Sequence, residues 1–154
     1  MIRKLLAGLI GLIVIAAAAF FLFAPGMAER SMNKVDGEPL IAVSDETKAL
    51  HATLTIVDLH SDTLLWKRNL LDKAERGHMD LPRLQAGNVA LQVFSSVTKT
   101  PKNQNYDNNS AEGDNVTMLV FGQLQPMRTW FSLLERGVYH GEKLERAAKD
   151  GDGA

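Results

Sequence analysis

The sequence predicts an α/β domain that follows one membrane-spanning helix. Two patterns carry this prediction: an uncharged apolar run of membrane length near the N-terminus, and two strand-like segments separated by a helical one. The 45% hydrophobic content, the net charge of -1 and the absence of cysteine are typical of a folded domain with one apolar appendage. Such a balanced charge argues against nucleic-acid binding, and the lack of Cys excludes thiolate-bound zinc.

Residues 1–28 are predicted to be a membrane anchor or a signal segment. The run Leu5–Ala24 is uncharged, and its 20 residues at ~1.5 Å each span a hydrocarbon core of roughly 30 Å. Pro25-Gly26 is expected to end the helix. Arg3 and Lys4 before the run favour a cytoplasmic N-terminus, so we expect a single-pass inner-membrane protein whose remainder is periplasmic. Cleavage as a signal peptide is the alternative.

The next part of the chain predicts a linker and the first strand and helices. Residues 29–50 are polar and irregular, with a short helix at their end, and we interpret them as the linker. Leu54–Asp62 is apolar at its start and polar at its end, which predicts a buried strand. Thr63–Leu71 is predicted to be helical. A further helix is predicted to begin after an Asp80 cap and to end at Gly87-Asn88.

The remainder completes a strand-helix-strand unit and adds helices. Val89–Val97 predicts a second strand, so that the unit forms a parallel sheet. After a polar loop, apolar residues recur at helical spacing from Val116 to Leu134. This spacing predicts one amphipathic helix with a kink near Pro126 and a cap at Gly137. A last charged helix is predicted over Glu142–Lys149.

Three side chains at the end of the first predicted strand could bind a metal ion. Asp58, His60 and Asp62 stand at alternate positions, which places them on one face of a strand. Cα atoms two residues apart lie roughly 6.5 to 7 Å from each other, so an imidazole and a carboxylate can reach one ion. The same spacing recurs at His78 and Asp80, where a polar turn favours a helix cap for Asp80 and a solvated position for His78.

A family resemblance adds to this pattern. The segment IVDLHSDTL and the later segment GHMDLPRLQAGNVALQVFSSV resemble the start of the catalytic domain in the renal dipeptidase (membrane dipeptidase) family. The resemblance implies that the first strand opens a (β/α)8 TIM-type barrel of the metal-dependent hydrolase kind. It also implies that His60 and Asp62 ligate the first of two zinc ions. Asp58 matches a family position as well, and we expect it to orient a ligand without touching the ion.

The resemblance implies zinc-dependent hydrolysis of dipeptides, with the membrane and dipeptide substrates as partners and a homodimer as a further expectation for the full-length enzyme. The family's bridging Glu and the two His ligands of its second zinc come later in the chain. A (β/α)8 domain needs about 250 residues. We therefore expect residues 51–154 to be a truncated N-terminal part of the barrel, with at most a partial zinc site and no catalytic residue. His51 and His140 match no family motif and are not expected to bind metal.

Two alternatives stay open. The first is another metal hydrolase of the amidohydrolase type, whose first strand usually carries His-x-His where this chain has Asp62 at the second position. The second is a membrane-anchored small α/β binding module without catalysis. Asn115-Val116-Thr117 fits a glycosylation pattern, but the anchor resembles bacterial ones and we interpret the match as chance.

Overall fold

The protein is described by a computed structural model over residues 1–35 and 41–151. Residues 36–40 of the predicted linker and residues 152–154 lie outside this range. The described elements alternate helices with two strands. In chain order they are α1 (Ile2–Met32), α2 (Asp45–Thr53), β1 (Ile56–Ser61), a 3-10 turn (Thr63–Leu65), α3 (Leu81–Ala86), β2 (Val89–Phe94), α4 (Val116–Gly122), a second 3-10 turn (Met127–Thr129) and α5 (Leu133–Asp150).

The sheet confirms the predicted parallel strand-helix-strand unit. β1 pairs with β2 in parallel, with Val57 opposite Leu91 and Asp58 opposite Gln92. The connection contains α3, which begins after Asp80 as predicted. Within residues 1–35 and 41–151 the sheet has two strands, so the α/β class is confirmed while the barrel stays a prediction. Because the strands are parallel, their carboxyl ends meet at one edge of the sheet.

The buried core lies between the crossover connection and the helices that follow β2. Leu65 and Trp66, next to the first 3-10 turn, pack with Val116 and Val120 of α4. Partly buried apolar side chains surround this cluster, namely Val97, Leu119 and Trp130. The core therefore holds α4 against the chain that leaves β1, close to the carboxyl edge of the sheet.

Among the described residues, α1 is the helix that is long and apolar enough to span a membrane, and its apolar window is not buried by the rest of the protein. Contrary to the prediction, α1 continues through Pro25 to Met32. Pro25 has no backbone N–H and therefore removes one helical hydrogen bond, but tertiary contacts stabilise the helical turn that follows it. The buried Glu29 carboxylate forms ion pairs with Arg68 Nε at 2.8 Å and Arg76 Nη2 at 2.6 Å.

The predicted helix over Thr63–Leu71 is wrong, since only Thr63–Leu65 forms a 3-10 turn there. The cause is a side chain from α5. Lys143 Nζ donates to the carbonyl oxygens of Leu64 at 2.9 Å and Trp66 at 2.6 Å. These are the acceptors that a continuing helix would offer to its own N–H groups, so the ammonium replaces the helical bonds.

The predicted single helix from Val116 to Leu134 is also wrong. α4 ends at Gly122, and Leu124 has a φ of 52°, which a helix cannot contain. α5 begins after Ser132, whose hydroxyl accepts from the backbone N–H of Glu135 at 3.2 Å. Gly137 and the predicted charged helix both lie inside α5. Between α4 and α5, the Arg136 side chain donates to the carbonyl oxygens of Thr129 and Trp130. A side chain thus again replaces the backbone N–H donors of a helix.

Candidate metal site

The predicted metal ligands lie together at the carboxyl end of β1. His60 is the next-to-last residue of β1, and Asp62 directly follows the strand. His60 Nε2 lies 3.2 Å from Asp62 Oδ1. Asp58 Oδ1 accepts from the backbone N–H of His60 at 3.1 Å. All three side chains line one open cavity of about 320 Å³, so the period of two in the sequence does bring them to one side of the strand.

A serine after β2 supports Asp62. Ser95 is the first residue beyond that strand, and its backbone N–H donates to the carbonyl oxygen of Ser61 at 2.9 Å. Its hydroxyl donates to Asp62 Oδ1. Sequence reasoning missed Ser95. Its position could have indicated this role, because a polar residue directly after the second of two parallel strands lies beside the carboxyl end of the first strand.

The His60 and Asp62 atoms fit a divalent cation. With bonds of ~2.0 to 2.2 Å to nitrogen and oxygen, atoms at this separation subtend roughly 100° at an ion, close to the angle of a tetrahedral site. An imidazole nitrogen and a carboxylate oxygen are also ligand types that zinc accepts. The side chains are 71% and 50% exposed, which leaves the other coordination positions open. Among the described residues, no group of three or more His, Cys, Asp or Glu side chains is placed to hold a metal ion.

The second His-x-Asp pattern has a different structure. Asp80 is buried and caps α3 by accepting from the backbone N–H of Arg83 at 3.0 Å. Its other oxygen accepts from the backbone N–H of Ala74 at 3.1 Å. The cap role predicted for Asp80 is confirmed. His78 is exposed and lines the same cavity as His60, and its Nε2 lies 2.9 Å from the Lys34 carbonyl oxygen.

The remaining two histidines lie elsewhere. His51 is in the last turn of α2. His140 is buried in α5, and its Nδ1 lies 2.7 Å from Ser96 Oγ. Over residues 1–35 and 41–151 its Nε2 has no hydrogen-bond partner. Burial, followed by the charges of Lys143 and Arg136, lowers the pKa of His140 to about 4, so this imidazole is neutral near neutral pH.

The low pKa of His140 predicts a loss of stability in mild acid. The unfolded imidazole has a pKa near 6.5 and the folded one near 4, so the unfolded chain takes up its proton first as the pH falls. The free energy of unfolding should decrease by on the order of 3 kcal/mol between these two values. His140→Gln should flatten this slope in denaturant titrations of the micelle-embedded chain. His78→Gln is the matched control, and equal slopes in parent and His140→Gln would contradict the assignment.

The geometry makes this edge of the sheet a candidate site for a divalent cation. His60 and Asp62 offer two possible donor atoms, Asp58 accepts from the backbone N–H of His60, and the Ser95 hydroxyl donates to the Asp62 carboxylate. His78 also lines this cavity, and its Nε2 forms a hydrogen bond with the backbone carbonyl oxygen of Lys34. No family model, curated protein or solved structure matches the chain.

Proposed function

We propose that this chain is the first part of a zinc-dependent dipeptidase of the renal type, and that His60 and Asp62 bind one of its two zinc ions. The observation that carries the proposal is the 3.2 Å approach of His60 Nε2 to Asp62 Oδ1 at the carboxyl end of a parallel strand. Enzymes of the (β/α)8 kind build their active sites at this end of their strands. We propose that β1, α3 and β2 are the opening unit of such a barrel.

In this proposal each residue at the edge has a defined task. His60 would hold the ion through Nε2, and Asp62 would hold it through Oδ1. Asp58 fixes the backbone of His60, and Ser95 restrains the carboxylate of Asp62 by a hydrogen bond. Two zinc ions held there would supply Lewis acidity for activating a water molecule and polarising the scissile carbonyl. The remaining ligands would come from polypeptide outside the described residues.

The exposed face of the sheet supports a larger barrel. Val57, Leu59, Leu91 and Val93 alternate along the two strands and are between 42% and 72% exposed. Parallel sheets are covered on both faces in complete domains, because their strands are apolar on both sides. An uncovered apolar face of this kind therefore favours further elements that pack against β1 and β2.

For the cellular location, we propose that α1 crosses the inner membrane once and places the sheet on the periplasmic side. The support is the apolar span of α1, together with Arg3 and Lys4 before it. Positive charges flanking a span stay on the cytoplasmic side more often than not. Protease accessibility of residues beyond Met32 in intact spheroplasts tests this orientation, and protection of those residues would contradict it.

The function is tested by zinc binding and dipeptide hydrolysis. The 154-residue chain in lipid nanodiscs is expected to bind one zinc ion weakly and to hydrolyse no dipeptide, since His60 and Asp62 offer a site with two ligands. A protein in which this chain is followed by further barrel strands is expected to retain two ions and to hydrolyse dipeptides. Robust turnover by the 154-residue chain would contradict the partial site. Hydrolysis of other amides alone would indicate a different metal hydrolase.

Ser95→Ala provides a graded test of the same site. Loss of a hydrogen bond to a metal-ligating carboxylate costs about 10-fold to 100-fold in metal affinity in characterised sites. We expect a decrease of that size in zinc affinity, measured by competition with a chromophoric chelator. Ser110→Ala in the exposed loop is the matched control and should leave the affinity unchanged. Equal affinities for Ser95→Ala and the parent would remove Ser95 from the site.

A second candidate is the membrane-anchored binding module. It is favoured by the buried hydrogen-bond network of Arg136, which joins the loop after β2 to α5 without further elements. This candidate predicts a monodisperse chain in nanodiscs that binds no zinc at His60 and Asp62. The zinc titration therefore separates the two functions.

A further inference from the structure

The outer end of α1 packs directly against the domain. The rings of Phe21 and Phe121 lie with centroids 5.3 Å apart, and Phe121 contacts Trp130 edge to face at 4.9 Å. Gly122 also lies against α1, since a Cβ there would be in ordinary van der Waals contact, at 3.6 Å, with atoms of Phe20 and Pro25. The end of α4 and the following turn are therefore fixed beside the last turns of the apolar span.

This contact sets the depth of the domain relative to the bilayer. If Leu5–Ala24 spans the hydrocarbon core, Phe21 lies three residues inside its outer limit, or ~4.5 Å along the helix axis. Side chains of the domain that touch Phe21 must then lie at the boundary between hydrocarbon and headgroups. Exposed positions next to this contact should accordingly be apolar.

Most of the exposed side chains at this place are apolar, and the exposed Arg128 is ion-paired with Glu135 and Glu142. Leu124 is 56% exposed and lines a cavity together with Phe21 of α1. Met127 and Phe131, which lie close to Trp130 in the chain, are 76% and 89% exposed. In water this surface would carry an unfavourable free energy of about 25 cal/mol per Å² of apolar area. Contact with acyl chains removes that penalty, and aromatic side chains are common at the membrane interface.

Cationic side chains lie at the neighbouring level of the headgroups. The cavity between α1 and the turn after α4 contains Lys67 and Arg76 as cations and Glu29 as its anion, so its lining is net positive. Glu29 is already paired with Arg68 and Arg76. The backbone N–H of Lys67 donates to Gln123 Oε1 at 2.6 Å, which fixes the position of this residue. The Lys67 side chain is exposed, so its ammonium group can contact phosphate groups of anionic lipids.

We propose that Leu124, Met127 and Phe131 form a membrane-embedded surface, continuous with α1, that seats the domain in the outer leaflet of an anionic phospholipid bilayer. The proposal rests on α1 crossing the membrane, as the proposed function has it. It assigns the α4–α5 connection a lipid contact in addition to its place in the domain core. The domain is then held against the bilayer at two places, α1 and this surface.

The experiment uses the absence of native cysteine in the sequence. Met127→Cys and Phe131→Cys are each labelled with an environment-sensitive fluorophore in the full chain, which is reconstituted into nanodiscs of phosphatidylcholine and phosphatidylglycerol. Tyr106→Cys, in the exposed polar loop, is the control for a water-exposed probe. We expect blue-shifted emission at positions 127 and 131 that is quenched by spin-labelled lipid and protected from aqueous iodide. The probe at position 106 should show the reverse.

A fourth probe separates this inference from the anchor itself. Leu12→Cys, in the middle of the apolar span, should be quenched by lipid whenever α1 crosses the bilayer. A lipid-quenched position 12 with iodide-accessible positions 127 and 131 would overturn the embedded surface while leaving the anchor intact. Protection of 127 and 131 from both quenchers would also overturn it, since a protein contact would then cover the surface. A water-exposed position 12 would overturn the anchor and the surface together.

Discussion

Alanine at His60 or at Asp62 is expected to abolish zinc retention by the nanodisc-embedded chain, whereas alanine at His78 leaves it intact. His60 Nε2 and Asp62 Oδ1 supply the two protein donors at the carboxyl end of β1, so either substitution leaves a single ligand. Loss of a direct ligand costs more than loss of a supporting hydrogen bond, so we expect a decrease in zinc affinity of more than about 100-fold. Chelator competition at neutral pH measures it.

Two controls define what this result means. Asp58→Asn should change zinc affinity little, because an amide oxygen can still accept the backbone N–H of His60. Circular dichroism spectra of all variants should coincide, since His60 and Asp62 are exposed and bear no core contacts. Equal loss of zinc in the His60, Asp62 and His78 variants would reject the choice between the two His-x-Asp patterns. In a protein with the complete barrel, the same substitutions at His60 and Asp62 should abolish dipeptide hydrolysis.

The elements that the sequence predicts correctly depend on neighbours in the chain. The α3 cap depends on Asp80 and the backbone N–H three residues later. The end of α3 depends on Gly87-Asn88, where Asn88 adopts a φ of 55°. The His60–Asp62 pair follows from the period of a strand. In each case the cause and its effect lie within a few residues, so the pattern alone is sufficient.

The elements that the sequence predicts wrongly depend on distant partners. α1 continues past Pro25 because Glu29 pairs with Arg68, about forty residues away. The turn after β1 stays short because Lys143 takes its carbonyl oxygens. Ser95 is recognised at the site only after β1 and β2 are paired in parallel. Hydrophobic periodicity contains no information on which remote side chain will compete for a backbone group.

The second large effect is expected at the ion pair between Asp114 and Arg136. Arg136 is 1% exposed, and its guanidinium donates to Asp114 Oδ2 at 2.6 Å and to Thr117 Oγ1 at 2.8 Å. The same group donates to carbonyl oxygens of the chain at Thr98 and Thr129. Asp114→Asn keeps the size of the side chain but leaves this buried cation without a countercharge. Breaking one partner of a buried pair costs about 3–5 kcal/mol, which we expect as the loss in free energy of unfolding.

The pH dependence of the pair gives an independent test. Burial alone would raise the pKa of Asp114, but hydrogen bonds from Arg136 and Thr117 overcome this effect and lower the pKa to about 2. A depressed carboxyl pKa stabilises the folded state above the unfolded value of 3.8, and this stabilisation is lost as the pH falls towards 2. Denaturant titrations should therefore show a steep acid limb below pH 4 in the parent that is absent in Asp114→Asn. Asp107→Asn in the exposed loop should retain the limb. If Asp114→Asn kept both the parent stability and its acid limb, Arg136 would not depend on this carboxylate, and the break between α4 and α5 would need another cause.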